Sequence, residues 1–181
     1  MSIARYISKL GALLNSNGQV LAGGLASGAA RANFGAGAVL QVQQSTFNGT
    51  TNTSSATLVD SGLSVTITPS SATSKILVKF SIPVSGGSNN SVSGRVVLLR
   101  DATTIFDIPS MFIVSVQYPT VVGMVVAEEI LDVPATTSPI TYKVQVSRNG
   151  YAGTYAGNLA FGNQGGTSVA ACQITAMEIA A

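Results

Sequence analysis

From about Ala38 to the C-terminus, apolar residues return at every second position, and this period governs what the chain can fold into. Leu63, Val65 and Ile67 alternate with Ser64, Thr66 and Thr68 until Pro69 closes the run. Ile76, Val78, Phe80 and Ile82 alternate with Leu77, Lys79 and Ser81; Tyr142, Val144 and Val146 alternate with Thr141, Lys143, Gln145 and Ser147. Alternation of this kind puts one face of each strand in a core and leaves the other outside. Further strands are expected at Val39–Ser45, Gly94–Arg100, Phe112–Gln117, Val121–Val133 and Ser168–Ile179. The expected turns are at Asn48–Ser55, Ser85–Asn90, Pro134–Pro139, Asn149–Gly153 and Gly162–Gly166. About eight strands so spaced predict an all-β, jelly-roll-like antiparallel β-sandwich. No helical pattern of normal length separates them, which disfavours a parallel α/β domain.

Two runs are apolar on both faces, Val96-Val97-Leu98-Leu99 and Val121-Val122-Gly123-Met124-Val125-Val126. Their outer faces need cover. A neighbouring subunit is one source of it; an internal loop or the N-terminal arm is another. Composition bears on the choice. Only 9% of residues are charged against 46% apolar, where about a quarter charged is usual. Such a chain is expected to meet other protein over much of its surface, as a homo-oligomer.

The first 37 residues read differently, as a unit separate from the 38–181 sandwich domain. Ile3, Tyr6, Ile7, Leu10, Leu13 and Leu14 recur at spacings of three and four, with Ser2 placed to cap and Asn15–Gly18 to stop a short helix. A helix this short is marginal alone. It must lie against its own domain, or anchor on a partner or on copies of itself; the anchoring residues would be Ile3, Arg5, Ile7, Lys9, Leu10 and Leu14. Gly18–Gly37, rich in Gly, Ala and Ser, reads as a flexible arm. Arg5 and Lys9 precede too short an apolar run for a cleaved signal, and no stretch is long and apolar enough to span a bilayer. A net charge of +2, with three basic residues in the arm, is too sparse to suggest nucleic acid as a partner.

The residues also limit the chemistry. The chain has no His, so nucleophilic systems built on His are excluded, and a zinc site would lack its usual ligands. No catalytic residue, cofactor or metal is expected. Carboxylate pairs could in principle cleave glycosides, but Glu128 and Glu129 are adjacent and point to opposite faces of a strand. Asp101 and Asp107 are expected in one loop as solvated acids. Gly162–Thr167 lacks the Lys of a phosphate loop. Cys172, the single cysteine, is expected to be a buried small apolar residue. Gly150–Asn158 carries Tyr151, Tyr155 and Asn158 on a Gly-rich stretch. It suits recognition of a sugar or protein, and equally a plain connection between strands.

The opening, Met1-Ser-Ile-Ala-Arg-Tyr-Ile-Ser-Lys-Leu-Gly-Ala-Leu-Leu-Asn-Ser-Asn-Gly-Gln-Val20, resembles the start of small virion proteins of tailed bacteriophages, notably of marine bacteria and cyanobacteria. Val39–Ser45 and Leu58–Val78 are similar to a β-sandwich module of phage fibre and head-decoration proteins. The resemblance implies a jelly-roll body, commonly trimeric, on a segment that attaches to the particle. The expected role is a capsid decoration (cement) or head-surface protein, made in the host cytoplasm and carried on the virion. The alternative is a tail-fibre or receptor-binding module reading a host glycan. Either way the partners are other copies and phage capsid or tail proteins.

Overall fold

A computed structural model of the chain describes residues 35–86, 92–113, 122–149, 159–162 and 172–181. The alternating runs become strands, all antiparallel: β1 (Val39–Phe47), β2 (Thr50–Thr53), β3 (Val59–Ile67), β4 (Lys75–Gly86), β5 (Val92–Arg100), β6 (Thr103–Ile113), β7 (Val122–Asp132), β8 (Ile140–Asn149), β9 (Leu159–Gly162) and β10 (Cys172–Ile179). Their pairing is nested. β1 pairs with β10, β2 with β9, β3 with β8, β4 with β7 and β5 with β6. The chain is therefore one long hairpin whose tip is the β5–β6 turn. Rolling that hairpin brings β10 and β9 onto the free side of β4, and β8 onto the free side of β5.

The roll makes two layers. In the first sheet β4 is central, with β7 along its whole length on one side. On the other side lie β10 and then β1, with β9 and then β2 continuing beyond them. The second sheet runs β3-β8-β5-β6. Between them Ile76, Val78, Phe80, Ile82 and Val84 of β4 join a core with Leu63, Ile67, Leu98, Val144, Val146 and Ile174. Each fully buried aliphatic side chain contributes about 1.5–3 kcal/mol. Cys172 is buried in this core and its thiol is pushed up by burial, so it behaves as the small apolar residue expected.

Two local devices set the register. The β3–β8 ladder shifts between Asp60 and Ser64, and Gly62 within that bulge has φ +87°. The Ser61 hydroxyl donates to the Val144 carbonyl at 2.7 Å and accepts from the Leu63 N–H at 3.2 Å, replacing ladder bonds that the bulge interrupts. A Cβ on Gly62 would lie 2.6 Å from the Phe47 ring, so glycine is required twice over, by φ and by contact. At the hairpin tip, Arg100 pairs with Thr103 around Asp101, whose φ is +52°. Asp101 donates its N–H to the Thr141 carbonyl and accepts the Thr141 N–H at its carboxylate, fastening the tip to β8.

Several expectations are corrected. There are ten strands among the described residues, not about eight. Asn48–Ser55 is not wholly turn, because Thr50–Thr53 pairs with Leu159–Gly162. Of the strand expected at Phe112–Gln117, Phe112 and Ile113 end a longer strand, Thr103–Ile113, and 114–117 lie outside the described residues, as do 118–121. Pro109 is tolerated within it because β6 is the edge of its sheet. Asp107 accordingly sits on a strand, not in a loop with Asp101. The helix and arm expected over Met1–Gly37 lie outside the described residues except for Gly35–Gly37, where a turn leads into β1.

Candidate assembly surface

The outward positions of the first sheet form rows across the strands. Val42 of β1 pairs with Met177 of β10, Met177 with Leu77 of β4, and Leu77 with Leu131 of β7. This gives an apolar row four strands wide on the side turned away from the core, about 14 Å across at the usual strand spacing. Val42 is 53% exposed and Leu131 54%. Beside it lies the paired set Val39, Ile179 and Lys75, with Val39 also exposed. The next row is polar: Gln44, Thr175, Lys79 and Glu129, in which Lys79 and Glu129 form an ion pair at 2.8 Å. Small and polar residues follow (Thr46, Gln173, Ser81, Ala127), then the exposed Val125 opposite Pro83. A shallow groove of about 590 Å³, open to solvent, runs here between Lys79, Ser81, Ala127, Glu129, Gln173 and Thr175.

The outer face of the second sheet is built otherwise. Asp60, Gln145, Val97 and Asp107 make one row, and Ser64, Lys143, Leu99 and Thr104 the next. Arg95 donates to both carboxylate oxygens of Asp107, at 2.9 and 2.6 Å, and holds that carboxyl below its usual range. Gln145 donates to Asp60 at 2.7 Å, and Lys143 lies 3.4 Å from the same oxygen. The hydroxyls of Thr66 and Thr141 are 2.8 Å apart. Val97 and Leu99 sit between these long polar side chains, whose stems can cover apolar surface, and both are buried. Val97 and Leu99, the outward members of Val96–Leu99, are thus buried in the single chain without a neighbouring subunit. In the run Val121–Val126, Val126 is buried, while Met124 and Val125 remain exposed.

Two carboxylates lie at one level inside the sandwich. The inward row runs Gln41, Glu178, Ile76, Asp132. Glu178 is fully buried. It accepts the Ser70 N–H at 2.7 Å, the Ser70 hydroxyl at 2.6 Å and the Gln41 amide at 2.6 Å. Burial alone would raise its pKa; hydrogen bonds from Ser70, Gln41 and Ser74 outweigh burial and hold it below the ordinary value. Asp132 accepts two bonds from Arg100, both at 2.9 Å, and the Tyr142 hydroxyl at 2.7 Å. Burial, and then that bond to Asp132, raise the Tyr142 phenol far above its usual value, so it stays a neutral donor. These groups tie β7 to β5 and β8 across the layers, and the β3–β4 loop to β10. The fold's own donors occupy both carboxylates, which makes them structural links and not an acid–base pair.

Ile3, Arg5, Ile7, Lys9, Leu10 and Leu14 are outside the described residues, as are Tyr151, Tyr155 and Asn158. The apolar row was missed from the sequence because its members come from four distant segments. The available signal was a misfit in each strand: Val42, Leu77, Leu131 and Met177 occupy slots that alternation assigns to solvent. Among the described residues no cluster of three or more potential metal ligands occurs, and no helix is long and apolar enough to cross a membrane.

No family model and no curated protein matches the sequence. Among solved structures, the chain is similar to the VP2 subviral particle of infectious bursal disease virus, with 13% identity and a TM-score of 0.38 over 78% of this chain and 37% of that one. It is similar also to a structure of the Gx strain of the same virus, with 15% identity and a TM-score of 0.40 over 78% and 37%. The chain thus spans little more than a third of the length of these proteins, and likenesses at this level assign neither family nor function.

Proposed function

We propose that this chain is a non-enzymatic structural protein of a virion, a trimeric capsid decoration or head-surface protein with a jelly-roll body, held to the particle by Met1–Gly37. The observation that carries the reading is the outward apolar row Val42–Met177–Leu77–Leu131, exposed at both ends and half-buried between them. A monomer gains nothing from a contiguous apolar row in water, whereas a subunit covered by neighbouring protein gains at each contact. The nested strand order supports the jelly-roll name, since a jelly roll is a long antiparallel hairpin wound into two sheets. The low charge and the resemblance of the opening residues to phage virion proteins point the same way.

The test is attachment and copy number. Removing Met1–Gly37 should leave a folded, associated body that no longer binds purified particles; full binding by the truncated protein would refute the anchoring role. Gel densitometry of particles should find on the order of hundreds of copies, as a repeating shell requires. A count of a few tens would instead favour a tail-fibre or receptor-binding module, for which a glycan array is the direct assay.

A further inference from the structure

We infer that the outer face of β1-β10-β4-β7 is where copies of this chain meet, each copy's face being covered by another copy. The inference rests on the assembly reading above and supplies its contact surface. The argument begins with size. Four strands at about 4.8 Å spacing and about 3.3 Å per residue, nine residues long in β1, eight in β10 and eleven along the β4–β7 ladder, give a face of about 600 Å². Stable interfaces begin at about 600 Å² from each partner, so the face reaches the lower end of what a stable pairing of folded bodies needs. The chain's own Ser2–Leu14 segment is the competing occupant. As the helix its spacing predicts, it would be about 20 Å long and 10 Å wide, about a third of the face. It could cover the lower apolar rows but would leave Val125, at the far end of β7, in water.

Charge argues for the same occupant. The outward positions of these four strands hold three formal charges, Lys75, Lys79 and Glu129. Lys79 and Glu129 neutralise each other within the chain at 2.8 Å. A strongly acidic or basic partner would find little to pair with, while a second copy meets little like-charge repulsion. Apolar residues stand at both ends of the face, Val42 and Leu131 at one and Val125 at the other, all more than half exposed. Because they are exposed in the single chain, replacing them tests contact between chains with little effect on the core.

The experiment is sedimentation equilibrium of the full chain and three variants, each checked for β structure by circular dichroism. Leu131→Lys and Val125→Lys each place a charge at one end of the face, and each should weaken association about tenfold or more, the loss expected when a charge is forced into a desolvated contact. Ser64→Lys, on the other sheet's outer face, should leave association unchanged. Loss with Leu131→Lys but not with Val125→Lys would overturn the inference in favour of the leading segment. Unchanged association in both would also overturn it, showing that copies meet elsewhere. Neither result depends on particle binding, so the virion reading stands or falls separately on the copy count.

Discussion

On the outer face of the β3-β8-β5-β6 sheet, Val97 and Leu99 are buried between Gln145, Asp107, Lys143 and Thr104. On the outer face of the opposite sheet, Val42 and Leu131 are each more than half exposed. Both faces carry apolar and polar side chains; they differ in arrangement. The first mixes them within each row, so Val97 and Leu99 each have a long polar cross-strand neighbour, Gln145 and Lys143, whose stem can cover apolar surface. The second sorts them into separate rows, so Val42, Met177, Leu77 and Leu131 have apolar cross-strand neighbours, with Lys75 on one side of the row and Gln44, Thr175, Lys79 and Glu129 on the other. Mixed rows leave Val97 and Leu99 buried in one chain, and sorted rows leave Val42 and Leu131 exposed.

The largest expected effect separates the two faces. Val97→Asp places a carboxylate at a fully buried site and should cost about 3 kcal/mol or more. Urea denaturation should report that loss at every protein concentration. Leu131→Asp should change only the concentration-dependent part of the stability. Equal losses from both would erase the distinction between the faces.

Asp132→Ala should come next. It leaves Arg100 and the Tyr142 hydroxyl without their acceptor, at a cost of about 2–3 kcal/mol, again at every concentration because this tie lies within one chain.

Acid should act on the interior through Glu178. Its folded pKa is lowered, so its contribution is fully present above the unfolded value of about 4.3. It is lost as pH falls through the folded value. Urea midpoints should drop as pH is taken from 5 downwards, and Glu178→Gln should flatten that slope; a parallel slope in the variant would assign the acid sensitivity to other carboxylates, Asp107 among them.

The smallest effect belongs to the Lys79–Glu129 pair, half exposed at both ends. Lys79→Ala should shift the stability of the body by about 0.5 kcal/mol or less.

Much of this fold is legible in the sequence. The inward residues of β3, β4 and β8 follow from period two alone, because each is a regular strand with one face in the core. β2 and β9 are not legible. Each has four residues, too few for alternation to show, and they hold only because the roll brings them together. β6 was obscured by Asp107, which reads as a loop acid with Asp101 until its pairing with Arg95 accounts for it. The candidate surface was least legible. Leu77 looks like an irregularity in β4 until register sets it between Met177 and Leu131, and register across the roll is fixed by contacts far apart in the chain. Low charge raised the expectation that some surface is covered, but only the folded strands show which apolar side chains are exposed.

The most direct measurement is the mass of the full chain in solution, by light scattering across the micromolar range. The account predicts a whole multiple of 18.3 kDa, three on the proposed trimer, with Val42 and Leu131 shielded from solvent. A well-folded particle of 18.3 kDa at the highest concentrations would contradict it.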